Sequence, residues 1–104
     1  GELFVLREVD TVVVSGKTEA KKVFTLVGRK GTLPDNSIRL LQHYAQGLAA
    51  YRAADWSAAR EQFQTCLQIN SLDEPSAVML ERLNQFASQP PSADWQGVWL
   101  VAQK

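Results

Sequence analysis

The 104-residue chain has little of what reactive sites are usually built from: one cysteine, Cys66, and one histidine, His43. A lone cysteine cannot close an internal disulfide, and such usage fits a reducing, cytoplasmic compartment. One cysteine and one histidine are too few for a four-ligand zinc site. Cys66 reads as a small buried helix residue. His43, between Gln42 and Tyr44, reads as a surface or half-buried structural residue. Net charge is also lacking, because 11 basic and 11 acidic residues cancel. The chain therefore has no overall electrostatic footprint for nucleic acid. No apolar run approaches the ~20 residues that span a bilayer, so no direct membrane contact is expected. No charged-then-apolar leader is visible. The chain opens on Gly1 rather than Met and a strand pattern begins almost at once, as expected of a piece cut from a longer protein.

What is present is globular in composition, 45% hydrophobic and 21% charged, and outside the disordered range. Leu3 to Leu6 is a short apolar run, interrupted by Arg7, Glu8 and Asp10. Val12, Val13 and Val14 are β-branched and suit a pleated strand. Ser15-Gly16-Lys17-Thr18-Glu19 carries turn chemistry, with Gly16 able to take positive φ. Lys22 to Val27 alternates and ends apolar on both faces. The pattern predicts strands near 3–7, 11–15 and 21–27, the last two antiparallel neighbours. Gly28 to Pro34 holds two glycines and a proline and reads as a loop. A hairpin alone is marginal in water. Its exposed edge needs a partner, which Val98–Val101 could supply within the chain and a dimer could supply from outside it.

Three helices follow. The first, 37–53, is capped by Asp35 or Asn36 and carries Ile38, Leu41, Tyr44, Ala45, Leu48 and Tyr51 along one stripe. The second, 56–69, is capped by Asp55 and buries Trp56, Ala59, Phe63, Cys66 and Leu67. The third, 75–88, places Pro75 in its first turn, where the missing N–H costs nothing. Met79, Leu80, Leu83, Phe86 and Ala87 form its stripe, and Gln89-Pro90-Pro91-Ser92 stops it. The closing DWQGVWLVAQK predicts a short strand or extended segment that docks on the rest. The fold class is α+β: an N-terminal antiparallel hairpin with three short strands, a three-helix segment and a terminal strand.

The stretch GLAAYRAADWSAAREQFQTCLQIN resembles a tetratricopeptide repeat, with a small residue, an aromatic, a tight turn, Ala, an aromatic and a small residue in order. Gly47 and Ala59 let two backbones approach, with Trp56 and Phe63 on either side. The sequence departs from that pattern at His43 and Gln46, where aromatic or apolar residues are usual, and at Ser71, where proline is usual. About three repeats are needed to bury a solenoid core. The faces of a single one must be covered by the hairpin and the terminal tryptophans. The third helix would stand as the cap that such arrays need. A groove lined by Tyr44, Tyr51 and Trp56 would instead make this segment a module that binds a peptide or a partner helix.

REVDTVVVSGKTEAKKVFTLVG resembles the last strands of the class III adenylate and guanylate cyclase catalytic domain. The helical stretch and the closing DWQGVWLVAQK resemble a tail that follows this domain in many bacterial cyclases. Together they cover about residues 7–104. The resemblance implies a division into terminal catalytic strands (1–28), a linker (29–36), a repeat-like three-helix segment (37–89) and a docking terminal segment (90–104). It implies a parent enzyme making cAMP or cGMP, dependent on Mg or Mn held by two aspartates. Those aspartates, and the Asn and Arg that act with them, lie upstream of the hairpin in the family, and no stretch here matches them. The resemblance leaves one site residue, Lys17, matching a lysine that reaches the substrate's phosphates, although Ser15 replaces the lysine that usually precedes the glycine. It thus implies a chain that is not itself catalytic and holds no cofactor. Its partner would be the catalytic domain of the same polypeptide, with a homodimer as a further expectation, in a parent that could be anchored through an upstream sensor.

Overall fold

A computed structural model describes residues 4–14 and 19–101. In order these form strand β1 (Phe4–Val14), strand β2 (Lys21–Arg29), helices α1 (Asp35–Arg52), α2 (Trp56–Ile69) and α3 (Glu74–Ser88), and strand β3 (Trp99–Val101). The fold is α+β. The sheet order is β2-β1-β3, with β2 antiparallel and β3 parallel to β1. The terminal segment therefore does find the sheet, with Val12 opposite Trp99. The strands expected at 3–7 and 11–15 are a single strand. Arg7, Glu8 and Asp10 do not break it, because each finds a counter-charge on a helix.

Two irregularities shape the β1–β2 pair. Val5 faces Gly28 and Leu6 faces Leu26, so Val27 is an extra residue on β2. Glu8 faces Phe24 and Asp10 faces Val23, so Val9 is an extra residue on β1. In a regular strand, residues three apart point to opposite faces. A bulge at Val9 cancels that alternation. Arg7 and Asp10 consequently both reach α3, and Glu8 and Thr11 both reach Arg52 of α1.

The helices start and stop for identifiable reasons. Asp55 caps α2 by accepting from the Ala58 N–H at 3.3 Å. Pro34 rather than Asp35 or Asn36 holds the cap position of α1, leaving Asp35 in the first turn, where its charge favours the helix dipole. Asp73 caps α3 and accepts from the Ser76 N–H. The α1–α2 turn is a Schellman motif: the Asp55 N–H bonds the Ala50 carbonyl at 2.9 Å and the Ala54 N–H bonds that of Tyr51 at 3.0 Å. Ala54 takes the left-handed position at φ 60°.

The core joins Leu40, Tyr44, Leu48 and Tyr51 of α1 to Ala59, Phe63 and Cys66 of α2 and Met79 and Leu83 of α3. Late residues of α1 meet early residues of α2, as in the Tyr51–Trp56 ring contact, and early ones meet late ones, as in the Leu40–Cys66 contact. The two helices are therefore antiparallel. Ile38, expected to lead the α1 stripe, is exposed. Trp95 closes the end of the bundle, its ring 5.2 Å from Tyr51, 5.5 Å from Trp56 and 5.6 Å from Phe86.

Two substitutions probe this packing. A Cβ on Gly47 would stand 2.7 Å from the fully buried Phe63 ring. Gly47→Ala should therefore destabilise the chain by about 1–3 kcal/mol through overpacking, despite its better helix propensity. Ala54→Gly should stabilise it by about 1 kcal/mol, because the left-handed conformation costs a Cβ-bearing residue roughly that much. Urea unfolding of both variants measures the two signs.

Candidate functional site

The polar residues concentrate along one seam, where β1 crosses the helices. Arg7 donates from both terminal nitrogens to Asp73, at 2.7 and 2.8 Å. Its guanidinium carbon stands 4.1 Å from the Tyr44 ring centroid. The Tyr44 hydroxyl donates to the Val9 carbonyl at 2.6 Å, satisfying backbone next to the bulge. Arg82 meets Asp10 at 2.6 Å and lies 4.3 Å over the Trp99 ring of β3. Arg52, in the last turn of α1, donates to Glu8 and to the Thr11 hydroxyl, both at 2.8 Å. Charge-assisted and bidentate bonds of this kind are the strong ones, and they fix orientation as well as energy.

Titration behaviour follows from these contacts. Burial works against the Arg7 charge, but its bonds and attraction to Asp73 outweigh that and hold Arg7 protonated. Burial also disfavours the Asp73 carboxylate, yet Arg7 and the Ser76 hydroxyl and N–H hold it below its ordinary value. Burial in the same way works against Arg82, and Asp10 outweighs it. Burial pushes the Tyr44 and Tyr51 hydroxyls up, so both stay neutral. It raises the Cys66 thiol too, which removes thiolate character and nucleophilicity.

An open cleft of about 450 Å³ lies beside the seam, lined by Arg7, Val9, Thr25, Tyr44, Pro75 and Val78 among others. Its arginine is committed to Asp73, so among the described residues that line it none offers a free cation to a phosphate. Among the described residues no three His, Cys, Asp or Glu side chains gather as metal ligands. Asp10 and Asp73 are each occupied by an arginine. These residues do not fit the Mg or Mn that the cyclase resemblance implies for a parent enzyme.

The sequence-derived site residues fare differently. Lys17 lies outside the described residues. Tyr44 and Tyr51 do not line a groove: they are 1% and 0% exposed, at the centre of the core. Trp56 is half-buried against Phe86 and Trp95. Sequence reasoning missed the seam. Its signature was legible as Arg82, one charge on an apolar stripe between Met79 and Leu83, and as three charges inside one strand.

The chain is 30% identical over 83 residues, 79% of its length, to an adenylate cyclase of Dictyostelium discoideum named as terminal-differentiation specific. It spans 4% of that cyclase's length. No family model matches the chain, and no solved structure matches it. No helix among the described residues is long and apolar enough to cross a membrane.

The seam makes a pH prediction. A carboxyl depressed in the folded state stabilises the fold above its unfolded value, about pH 4, and loses that contribution as pH falls through its folded value. Arg7→Met should cost about 3 kcal/mol at neutral pH, because it strands a buried carboxylate. It should also flatten the acid limb, so that wild type and variant converge as pH falls through the folded Asp73 value. Urea unfolding across this range measures both effects.

Proposed function

We propose that the chain is the C-terminal accessory region of a class III nucleotide cyclase making cAMP or cGMP. In this reading residues 1–28 are the last strands of the catalytic domain, 29–36 a linker, 37–89 a tetratricopeptide-like tail and 90–104 the segment that docks the tail. The tail serves as a brace for the catalytic sheet. The parent enzyme works in the cytoplasm with Mg or Mn bound upstream, and its catalytic domain, alone or as a homodimer, is the tail's partner. Lys17 is the residue of this chain that would approach the substrate's phosphates.

The observation that carries this reading is the buried Arg7–Asp73 pair, which fastens the strand resembling the cyclase to the third helix of the tail. A tail evolved merely to hang from an enzyme has no need of a desolvated ion pair to its last strands. Similarity to an adenylate cyclase over most of the chain supports it as well. A peptide-binding role for the helices loses support from the burial of Tyr44 and Tyr51.

The test is cyclase activity and dimerisation of the parent enzyme ended after Gly31, compared with the full-length enzyme and with full-length Arg7→Met. Truncation should abolish activity or make it heat-labile, and Arg7→Met should lower the inactivation temperature by roughly 10–20 °C, as about 3 kcal/mol implies for a domain of this size. Full activity and normal dimerisation of the truncated enzyme would refute the brace.

A further inference from the structure

Strand β2 is the least supported element of the fold. Phe24 is 51% and Leu26 64% exposed, and Lys21, Lys22, Thr25 and Arg29 are exposed as well. Its neighbour in the sheet is β1, and among the described residues no strand pairs with its other edge. An unpaired edge presents a row of free N–H and C=O groups, which proteins blunt with proline, central charges or short length. β2 carries such guards only toward its ends: lysines at 21 and 22, Arg29 and the Val27 bulge flank a Val23–Leu26 stretch that has no charge, proline or bulge of its own.

The end charges select the occupant. Two copies of β2 paired antiparallel about Thr25 would set Lys21 opposite Arg29 at both ends, and paired parallel they would set lysine against lysine. Like charges directly opposite across strands are destabilising. The acidic neighbour Glu19 makes an exposed 3.3 Å contact with Lys21, which screens little. We propose that the free edge of β2 is filled by strand addition from an extended segment with an apolar centre and acidic ends. That segment belongs to the cyclase polypeptide outside these 104 residues, a source that rests on the function proposed above. Backbone bonding supplies the affinity, and the end charges supply register and direction.

The 104-residue chain tests this directly. It is titrated with a synthetic peptide of about nine residues, matching β2 in length, that alternates Val and Thr between terminal Glu residues, and separately with a twin ending in Lys. Backbone amide shifts are read residue by residue. The Glu-ended peptide should perturb β2 amides and bind about tenfold tighter than its twin, because both end pairs turn from repulsion to attraction. The double variant Lys21→Glu/Arg29→Glu, altered at exposed residues only, should reverse the preference. Equal affinities, no binding of either peptide, or shifts confined to residues outside β2 would overturn the proposal. So would a wild-type dimer joined through β2 in sedimentation at the same concentration. None of these outcomes bears on the brace, which stands or falls with the truncated enzyme.

Discussion

Arg7 and Asp73 are 66 positions apart in sequence and meet at 2.7 Å with both side chains about nine-tenths buried. Taking two charges out of water costs several kcal/mol each, and the cost is recovered only if geometry is good and the remaining polar atoms are bonded. The surroundings meet that condition except at the Arg7 Nε, which is buried without a hydrogen-bond partner. Asp73 also accepts from the Ser76 hydroxyl and N–H, so the carboxylate that holds the strand simultaneously starts α3. Tyr44 lies under the guanidinium and spends its hydroxyl on the Val9 carbonyl. The Val9 bulge lets Asp10 face the same helix, where Arg82 receives it and in turn covers Trp99. One ion pair thus draws a helix cap, a bulge, a second ion pair and the terminal strand into a single arrangement.

Well-packed apolar residues would hold a strand to a helix layer as tightly as these charges, or more so. What charges add is register. A strand that slips by one residue turns every side chain to the other face. In β1 such a slip would remove Arg7 from Asp73 and Asp10 from Arg82 together, leaving four buried charges without partners. An apolar seam of valines tolerates a slip far better. The mostly valine remainder of β1, from Val12 to Val14, carries little register information of its own, and the polar seam provides it.

Helix boundaries were legible because they rest on local chemistry: Asp55 as a cap, Pro75 in a first turn, and stripes at three- and four-residue spacing. Gly47 was legible as a position of close helix approach, although the residue it packs against is the Phe63 ring rather than the small Ala59. The seam was legible only in part: Arg82 on an apolar stripe and three charges in one strand mark it, but its members are distant in sequence and each looks like an ordinary surface charge alone. Arg7, Glu8 and Asp10 read as a break in the strand, since a charge in an apolar run is more often solvated than paired. Tyr44 and Tyr51 carried a related ambiguity. A tyrosine stripe suits either a groove or a core, and it was the arginines of the seam and the Trp95 ring that closed over both.

Strands β1 and β2 share one hairpin and differ sharply in support. β1 is held on the helical side by three arginines or their partners and on its second edge by β3. β2 is held by β1 alone, and its apolar centre faces water. Whatever fills the edge of β2 is therefore felt first by β1, and through the ion pairs by α1 and α3. The hairpin is thus fastened to the helical segment through β1, by the Arg7–Asp73, Arg52–Glu8 and Arg82–Asp10 pairs together.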